Sequence, residues 1–385
     1  MRYAFDARGP YARCAWTFLA AALAACSTTE STSPITPAER ADLSSATASV
    51  PPAASGPVKT LSNRFAYLLA DQPTAQLYTP DPNYSYNATG GYISVYRNGT
   101  GGYQVVFNSP SGWGARNFGF AVTAHGSSTL GCAWRGYYIQ TSQLVADVMC
   151  FDRVTKLAAD SRFSLLMVGS GSLFPRSAFT TADQPSAPSY TPGPIDRYSS
   201  STAGMTITRA SAGDYDVNLG TGSPAQSTFL VNEAFVNAGA ACTIGAWRTA
   251  SVQVRCFEAT GAPSDYYYRV LQVDGGRPGR RLGFAWANQP AAASYTPNVN
   301  YSFNSSGGAV TVTRSGVGHY MVDFAGLQKF TGKTENAQVT PWGTKSTSCN
   351  AVGWWNSGVG LRVGVECRKL DGSFTDARFN VVVIE

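Results

Sequence analysis

Three stretches of the chain alternate apolar and polar residues in the same way. The apolar positions are Tyr103, Val105 and Phe107; Tyr215, Val217 and Leu219; Tyr320, Val322 and Phe324. Alternation at every second residue is typical of a strand with one buried face. A second strand, ending in Arg97, Arg209 or Arg314, precedes each stretch across a glycine-containing turn. The pattern therefore predicts the same β-hairpin three times.

Each hairpin belongs to a longer unit that also occurs three times. The string Ala-Asp-Gln-Pro at 70–73 and 182–185 recurs as Ala-Asn-Gln-Pro at 287–290, and Tyr-Thr-Pro follows each one. A unit of about 110 residues has the size of a domain, not of a short solenoid repeat. We therefore expect three modules: a first copy at 60–170, a second at 171–274 and a third at 275–385.

The remaining pattern of each copy predicts more strands and no helix. Each copy ends with an Asp, an aromatic residue three positions later and an apolar strand, starting from Asp160, Asp265 and Asp376. Gly, Ser, Thr and Tyr are abundant, and only 14% of residues are charged. We expect an all-β chain of three tandem antiparallel modules of about eight strands each, with either a β-sandwich or a small-barrel closure.

Two cysteines stand in each copy, and six cysteines allow many pairings. Repeat symmetry and an oxidising environment favour one bridge within each copy. The predicted disulfides are Cys132–Cys150, Cys242–Cys256 and Cys349–Cys367. Each would join two strands of a hairpin across a loop of about 15 residues, a constraint of about 3 kcal/mol. A metal site is the alternative, but two cysteines without a shared histidine disfavour it, so we expect no metal and no cofactor.

Residues 1–25 have the organisation of an export signal. Three arginines precede an apolar run over 15–25 that is too short to span a bilayer. The run ends Leu23-Ala24-Ala25-Cys26, which resembles the lipobox of bacterial lipoproteins. The resemblance implies cleavage before Cys26, a lipid on its sulfur and a membrane partner. An ordinary secretory signal that contains a cysteine is the alternative.

Residues 26–59 are rich in Ser, Thr, Ala and Pro, and this composition predicts a disordered tether. Ser27 follows the cysteine, and its resemblance to lipoprotein sorting signals favours the outer membrane of a bacterial envelope. The net charge of +6 is not gathered into a basic run. We therefore expect no nucleic-acid partner.

Catalytic motifs do not recur with the repeat. His125 aligns with Phe235 and Trp342, and His319 aligns with two residues that are not histidine. The sequence has no convincing nucleophile elbow, zinc-protease motif or phosphate loop. We therefore expect no enzyme activity and no catalytic residues.

The repeated acidic residues favour structural roles. Asp71 and Asp183 become Asn288 in the third copy, and this exchange keeps the hydrogen-bond acceptor but loses the charge, as a turn residue can. The other repeated set, Asp160 and its equivalents, is expected to pair with a repeated Arg or to cap the turn before the last strand.

An aromatic residue stands five positions after the first cysteine of every copy: Tyr137, Trp247 and Trp354. Strand parity places these rings on the face opposite the disulfide, where they would contact a ligand such as a sugar. In the alternative they pack under a loop or against the next copy, and a β-bulge would reverse their parity. Tyr138, Trp355 and Arg362 are neighbours in the same hairpins.

The repeated unit is similar to an uncharacterised β-rich repeat of secreted bacterial proteins, and this resemblance carries no activity. The combined features predict a lipid-anchored extracytoplasmic protein for non-catalytic binding or adhesion, with a glycan or a surface protein as partner. Three weak sites on one chain would gain avidity. The alternatives are a structural or spacer lipoprotein without a specific ligand and, less favoured, a secreted hydrolase.

Overall fold

The computed structural model describes residues 65–114, 117–171, 176–222, 226–235, 239–275, 281–328 and 335–385. The predicted signal peptide, Cys26 and the tether lie outside these residues. The described chain is all-β, with a single three-residue 3₁₀ helix at Val299–Tyr301. The described residues therefore contain no helix with the length and apolar character of a membrane span.

Each copy contributes nine strands. The first copy contains β1 (Phe65–Ala70), β2 (Leu77–Tyr78), β3 (Ser85–Asn87), β4 (Ile93–Gly99), β5 (Gly102–Asn108), β6 (Phe118–Ala124), β7 (Leu130–Gln140), β8 (Gln143–Asp152) and β9 (Phe163–Gly169). The second contains β10 (Ala178–Ala182), β11 (Ser189–Tyr190), β12 (Arg197–Ser199), β13 (Thr206–Ser211), β14 (Asp214–Asn218), β15 (Ser227–Glu233), β16 (Ala241–Trp247), β17 (Val252–Phe257) and β18 (Tyr268–Asp274). The third contains β19 (Leu282–Ala287), β20 (Ser294–Tyr295), β21 (Ser302–Asn304), β22 (Val310–Gly316), β23 (His319–Ala325), β24 (Asn336–Trp342), β25 (Thr347–Asn356), β26 (Gly360–Lys369) and β27 (Arg378–Ile384).

Within each copy the strands form two antiparallel layers. In the first copy, an outer layer has the order β2-β4-β5-β8-β7 and an inner layer has the order β3-β1-β9-β6. The other copies repeat both orders with their own strands. The sheets are open, which selects the sandwich over the small barrel.

The alternating residues of the predicted hairpins fill the space between the two layers. Tyr103, Val105 and Phe107 of β5 are almost fully buried, as are their equivalents in the other copies. The predicted disulfides are the ones observed, and each joins directly opposed strand residues with Cα atoms 4.0 to 4.1 Å apart. The six cysteines lie in the sandwich cores, where each disulfide joins two adjacent strands of an outer layer.

The inner layers are buried on both faces. Their second faces meet in one apolar cluster, to which all three copies contribute equivalent aromatic residues: Tyr67, Phe179 and Phe284. The strand β9, for example, is buried at every position. A strand with two buried faces can be a near-continuous apolar run, as β9 is. Other inner strands instead carry buried polar side chains that bond to a neighbouring copy, such as Asn232, Arg269 and Gln338.

The copies also join edge to edge in cyclic order. The outer edge strand of each copy meets the inner edge strand of the next through a parallel bridge: Trp134 to Ala234, Ile244 to Trp342 and Ala351 to His125. These are equivalent positions in the repeat, so the third copy returns to the first. At the second junction the bridged residues lie within β16 and β24, so the outer layer of the second copy and the inner layer of the third form one nine-stranded sheet.

A second set of equivalent contacts closes the same ring. Thr123, Asn232 and Thr340 each exchange hydrogen bonds with the backbone of the preceding copy, at Val339, Val122 and Val231. The side chains are buried, so these bonds replace lost water contacts and fix the register of one copy against the next. The described residues form one compact body with approximate threefold symmetry.

Candidate functional site

The three repeated aromatic residues do not lie on the solvent face. In each copy the strand register shifts just before them, between Trp134 and Gly136, between Ile244 and Ala246, and between Ala351 and Gly353. A β-bulge adds one residue and so reverses the parity of the residues that follow it. The rings therefore share the disulfide's side of the sheet, and the predicted opposite orientation is wrong.

Two of these rings pack against the next copy. The ring centroid of Trp354 is 6.0 Å from that of Tyr84 and 5.3 Å from that of His125, both in the first copy, and the residue is only 5% exposed. Trp247 packs in the same way on Trp286 and Tyr301 of the third copy, at 5.2 and 4.7 Å. Both rings therefore stabilise junctions between copies.

Tyr137 packs within its own copy. Its ring contacts Phe118 and Phe120, with centroids 5.9 and 5.3 Å apart, and it lies against the core of the first sandwich. The packing alternative describes all three positions better than ligand contact. A sequence signal for this outcome exists: a glycine stands at or beside each bulge, at Gly136, Gly245 and Gly353.

The repeated Asp before the last strand of each copy bonds to the hairpin that contains the repeated Arg and Tyr. Asp376 accepts hydrogen bonds from Arg314 Nε and Nη2, from the Gly318 N–H and from the Tyr320 hydroxyl, all at 2.9 to 3.1 Å. Asp160 and Asp265 accept equivalent bonds in their copies. The predicted pairing with a repeated Arg is confirmed, and the role is structural.

Replacing Asp376 by Ala should destabilise the protein by about 2 kcal/mol, because it leaves charged and polar donors without their acceptor. The hydrogen bonds from Arg314 lower the pKa of Asp376 in the folded state. The stabilisation is therefore complete above the unfolded pKa of about 4 and is lost as the pH falls through the folded value. Urea unfolding at pH 7 and at pH 3 measures both effects. Asp371→Ala is the matched control, since Asp371 bonds only Ser373 among the described residues, and it should change stability little.

The other repeated motif forms a turn. The residue three positions after each Gln donates its N–H to the Gln carbonyl, as Ala75 does to Gln72 at 3.2 Å. The backbone N–H groups of Gln184 and Gln289 donate to the hydroxyls of Tyr190 and Tyr295. These contacts show that the motif forms a turn, but none of them involves the side chain of Asp71, Asp183 or Asn288, and the buried Oδ1 atoms of all three have no hydrogen-bond partner. The predicted bond from this side chain to nearby backbone is therefore not observed at Oδ1, because the turn is closed by backbone groups instead.

The two histidines lie in different surroundings. His125 lies at the junction of the third and first copies, and burial lowers the pKa of its imidazole to about 4, helped by the charge of Arg162. Its equivalent in the second copy is Ala234, not Phe235 as aligned from the sequence, because Ala234 makes the matching bridge. His319 lies on the outer face of the third copy, with Nδ1 3.4 Å from Glu366.

The solvent face of the third outer layer carries a different aromatic residue, Trp355. The bulge that buries Trp354 turns this next residue outward, and it is 42% exposed. Its six-membered ring lies against Gly364 and Gly353, within 3.5 to 3.9 Å of where a Cβ would stand. Glycine at these two positions leaves room for the ring on the sheet surface.

Two charged residues continue the row that Trp355 begins. Trp355 is directly opposite Arg362 on β26, and Arg362 is directly opposite Asp323 on β23. Arg362 Nε and Nη2 donate to the two carboxylate oxygens of Asp323 at 2.8 and 2.9 Å, and Ser357 Oγ donates to the same carboxylate at 3.1 Å. This bidentate pair raises the pKa of Arg362 and fixes its guanidinium on the face of the sheet that carries Trp355.

The row belongs to the third copy alone. In the first copy the corresponding positions hold Tyr138, Val145 and Val106, which lack the ion pair. In the second copy a shorter hairpin places Arg248 at the position of Trp355, and Arg248 pairs with Asp216 at 2.8 Å. We call Trp355, Arg362 and Asp323 the outer-face site.

A small cavity lies where the three copies meet. Its lining includes Thr123, Asn232 and the buried pair Arg153–Glu233, which are 3.4 Å apart. It leaves about 20 Å³ for the centres of water molecules, which is room for about one water. This space is too small for an organic ligand, so the outer-face site is the better candidate for ligand binding.

Comparison with protein-family models, with curated proteins and with solved structures found no match to this chain.

Proposed function

We propose that this chain is a lipid-anchored, extracytoplasmic and non-catalytic binding protein whose ligand site is the outer-face site of the third copy. The observation that carries the proposal is the exposed Trp355 beside a preorganised Asp323–Arg362 pair. Exposed aromatic residues with fixed hydrogen-bonding neighbours are typical of recognition surfaces. Binding by one site replaces the three-site array expected from the repeat.

The closed arrangement of the copies supports this role. The outer-face site lies on β23, β25 and β26, and both faces of the adjoining inner layer are packed. A site on rigid strands loses little conformational freedom when it binds. The body would thus present one preformed surface at the end of a tether.

The burial of Trp247 and Trp354 favours a second candidate function, a structural or spacer lipoprotein. In that role the aromatic residues hold the copies together and no ligand is needed. Both candidates share the compact body and differ only in whether the outer-face site is used.

Retention on envelope material distinguishes these candidates. The chain from Ser27 onward, made without lipid, would be incubated with isolated bacterial envelopes that lack the native protein. We expect retention of the wild type and at least a tenfold loss for Trp355→Ala, with Tyr138→Ala as the control at the equivalent position. Equal or absent retention of the wild type and Trp355→Ala would favour the spacer role.

The anchor is tested separately by Cys26→Ser. We expect the full-length variant to leave the membrane fraction or to keep an uncleaved signal, because the lipid and its attachment sulfur are lost. Detergent partitioning and the mass of the mature amino terminus measure the change. A variant that is processed and partitions like the parent would contradict the lipoprotein proposal.

A further inference from the structure

We infer that the outer-face site takes an uncharged carbohydrate, with one pyranose ring stacked on Trp355 and hydroxyls of the same or the next sugar bonded to the Arg362–Asp323 pair, chiefly to Arg362. This inference rests on the proposed binding function and specifies its ligand class. Three features of the site support it: the surroundings of the Trp355 ring, the absence of net charge on the Arg362–Asp323 pair, and the distance from Trp355 to Asp323.

The setting of Trp355 suits stacking against a flat apolar ligand surface. The indole lies against glycine backbone on one side, so no neighbouring side chain at Gly353 or Gly364 covers it. On the other side it is open to water. A sugar ring presents C–H groups to such a surface, and their positive edges are attracted to the negative face of an aromatic ring.

The polar pair offers hydrogen bonds without net charge. Arg362 and Asp323 neutralise each other through two parallel hydrogen bonds. Arg362 Nη1 has no partner among the described residues, and its side chain is 36% exposed, so its N–H groups can donate to a ligand. Asp323 Oδ2 accepts a single bond, from Arg362, and the side chain of Asp323 is only 12% exposed, so its main role is to orient Arg362. The accessible group of the pair is therefore the guanidinium, whose N–H groups a sugar hydroxyl can accept from.

The length of the row from Trp355 to Asp323 fits a ligand that extends across three strands. Directly opposed residues on adjacent strands share a face, so all three side chains project to the same side. Adjacent strands lie about 4.8 Å apart, so the row from Trp355 to Asp323 is about 10 Å long. This length is comparable to a disaccharide. An anionic sugar would gain nothing from the neutral pair and would meet the nearby carboxylate of Asp323.

The test uses the lipid-free chain from Ser27 onward and a panel of neutral and uronate-containing oligosaccharides on an array, followed by calorimetric titration of the neutral ones that bind. We expect binding of at least one neutral oligosaccharide, a loss of about tenfold or more for Trp355→Ala, and a smaller loss for Trp355→Tyr, which keeps an aromatic face. Asp323→Asn should weaken binding because it removes the ion pair but keeps the side-chain shape. Tyr138→Ala should bind like the wild type.

The outcomes separate the ligand class from the function. If no oligosaccharide binds, or if only uronate-containing ones bind, the neutral carbohydrate inference is overturned. Trp355-dependent retention on envelope material would then still support a binding protein with another ligand. Neutral-sugar binding that survives Trp355→Ala would place the carbohydrate elsewhere and would also overturn the inference.

Discussion

Replacing Trp354 by Ala should cost about 3–5 kcal/mol of unfolding free energy, while replacing its neighbour Trp355 should cost about 1 kcal/mol. Trp354 fills a junction between the third and first copies and contacts Tyr84 and His125, so its removal leaves a cavity in a closed body. Trp355 is 42% exposed and leaves no cavity. Urea unfolding of the two variants and the wild type measures the difference.

The two adjacent tryptophans are controls for each other, since both changes remove the same side chain from the same strand. The bulge between Ala351 and Gly353 decides which one faces inward. A large loss for Trp355→Ala with a small loss for Trp354→Ala would mean that the strand has no bulge. Hydrogen exchange adds a second readout, in which Trp354→Ala should loosen the first copy as well as the third.

The second large effect is a loss of stability in mild acid that depends on His125. Burial lowers its folded pKa to about 4, whereas an unfolded histidine titrates near 6.5. Between these values the unfolded chain binds more protons than the folded one, so stability falls as the pH falls from about 6.5 to about 4. The full effect is about 3 kcal/mol. Unfolding free energies at pH 7, 5.5 and 4.5 measure it.

The variant His125→Phe is expected to keep the aromatic contact with Trp354 and to lose this pH dependence. The acid loss from Asp376 and its equivalents should remain, because those carboxylates titrate at lower pH. His319→Phe is the matched control, since His319 lies on the outer face and away from the Trp354 junction, and this variant should keep the decrease that depends on His125. An identical decrease in His125→Phe and the wild type would contradict the role assigned to His125.

Much of the fold could be predicted from the sequence. The alternation of Tyr103, Val105 and Phe107 identifies a half-buried strand, and comparing three copies identifies the cysteine partners. Both signals are local or repeat within the chain, so they do not require knowledge of the tertiary arrangement. The conversion of Asp71 to Asn288 likewise indicates that charge is unnecessary at the turn.

The closure of the copies could not be predicted in this way. Contacts such as that of Asn232 with Val122 join residues far apart in sequence. Neither residue type is unusual in a strand, so the sequence alone does not identify them as partners. The pattern of an inner strand also does not say which neighbour covers its second face, since β9 is an almost continuous apolar run, whereas β24 alternates polar and apolar residues although both of its faces are buried. The repeat therefore predicted modules in series, whereas the structure packs them into one body.

Because of the bulge, the exposed aromatic residue of the candidate site lies one residue beyond the position that strand parity predicts. The sequence places Trp355 and Arg362 in the same hairpin, but parity without a bulge predicts that Trp354 lies on the solvent face. Asp323 belongs to another strand, and its register against Arg362 depends on pairing between β23 and β26. The glycine at or beside each bulge, a few residues after the first cysteine of each copy, is the sequence feature that indicates the bulge.

The central claim is that the three copies form one closed cooperative body, and differential scanning calorimetry of the lipid-free chain tests it most directly. A single reversible transition should have a calorimetric enthalpy equal to its van't Hoff enthalpy, because the junctions at His125, Ala234 and Trp342 couple every copy to both others. Separate transitions, or a calorimetric enthalpy about three times the van't Hoff value, would show that the copies unfold independently and would contradict the account.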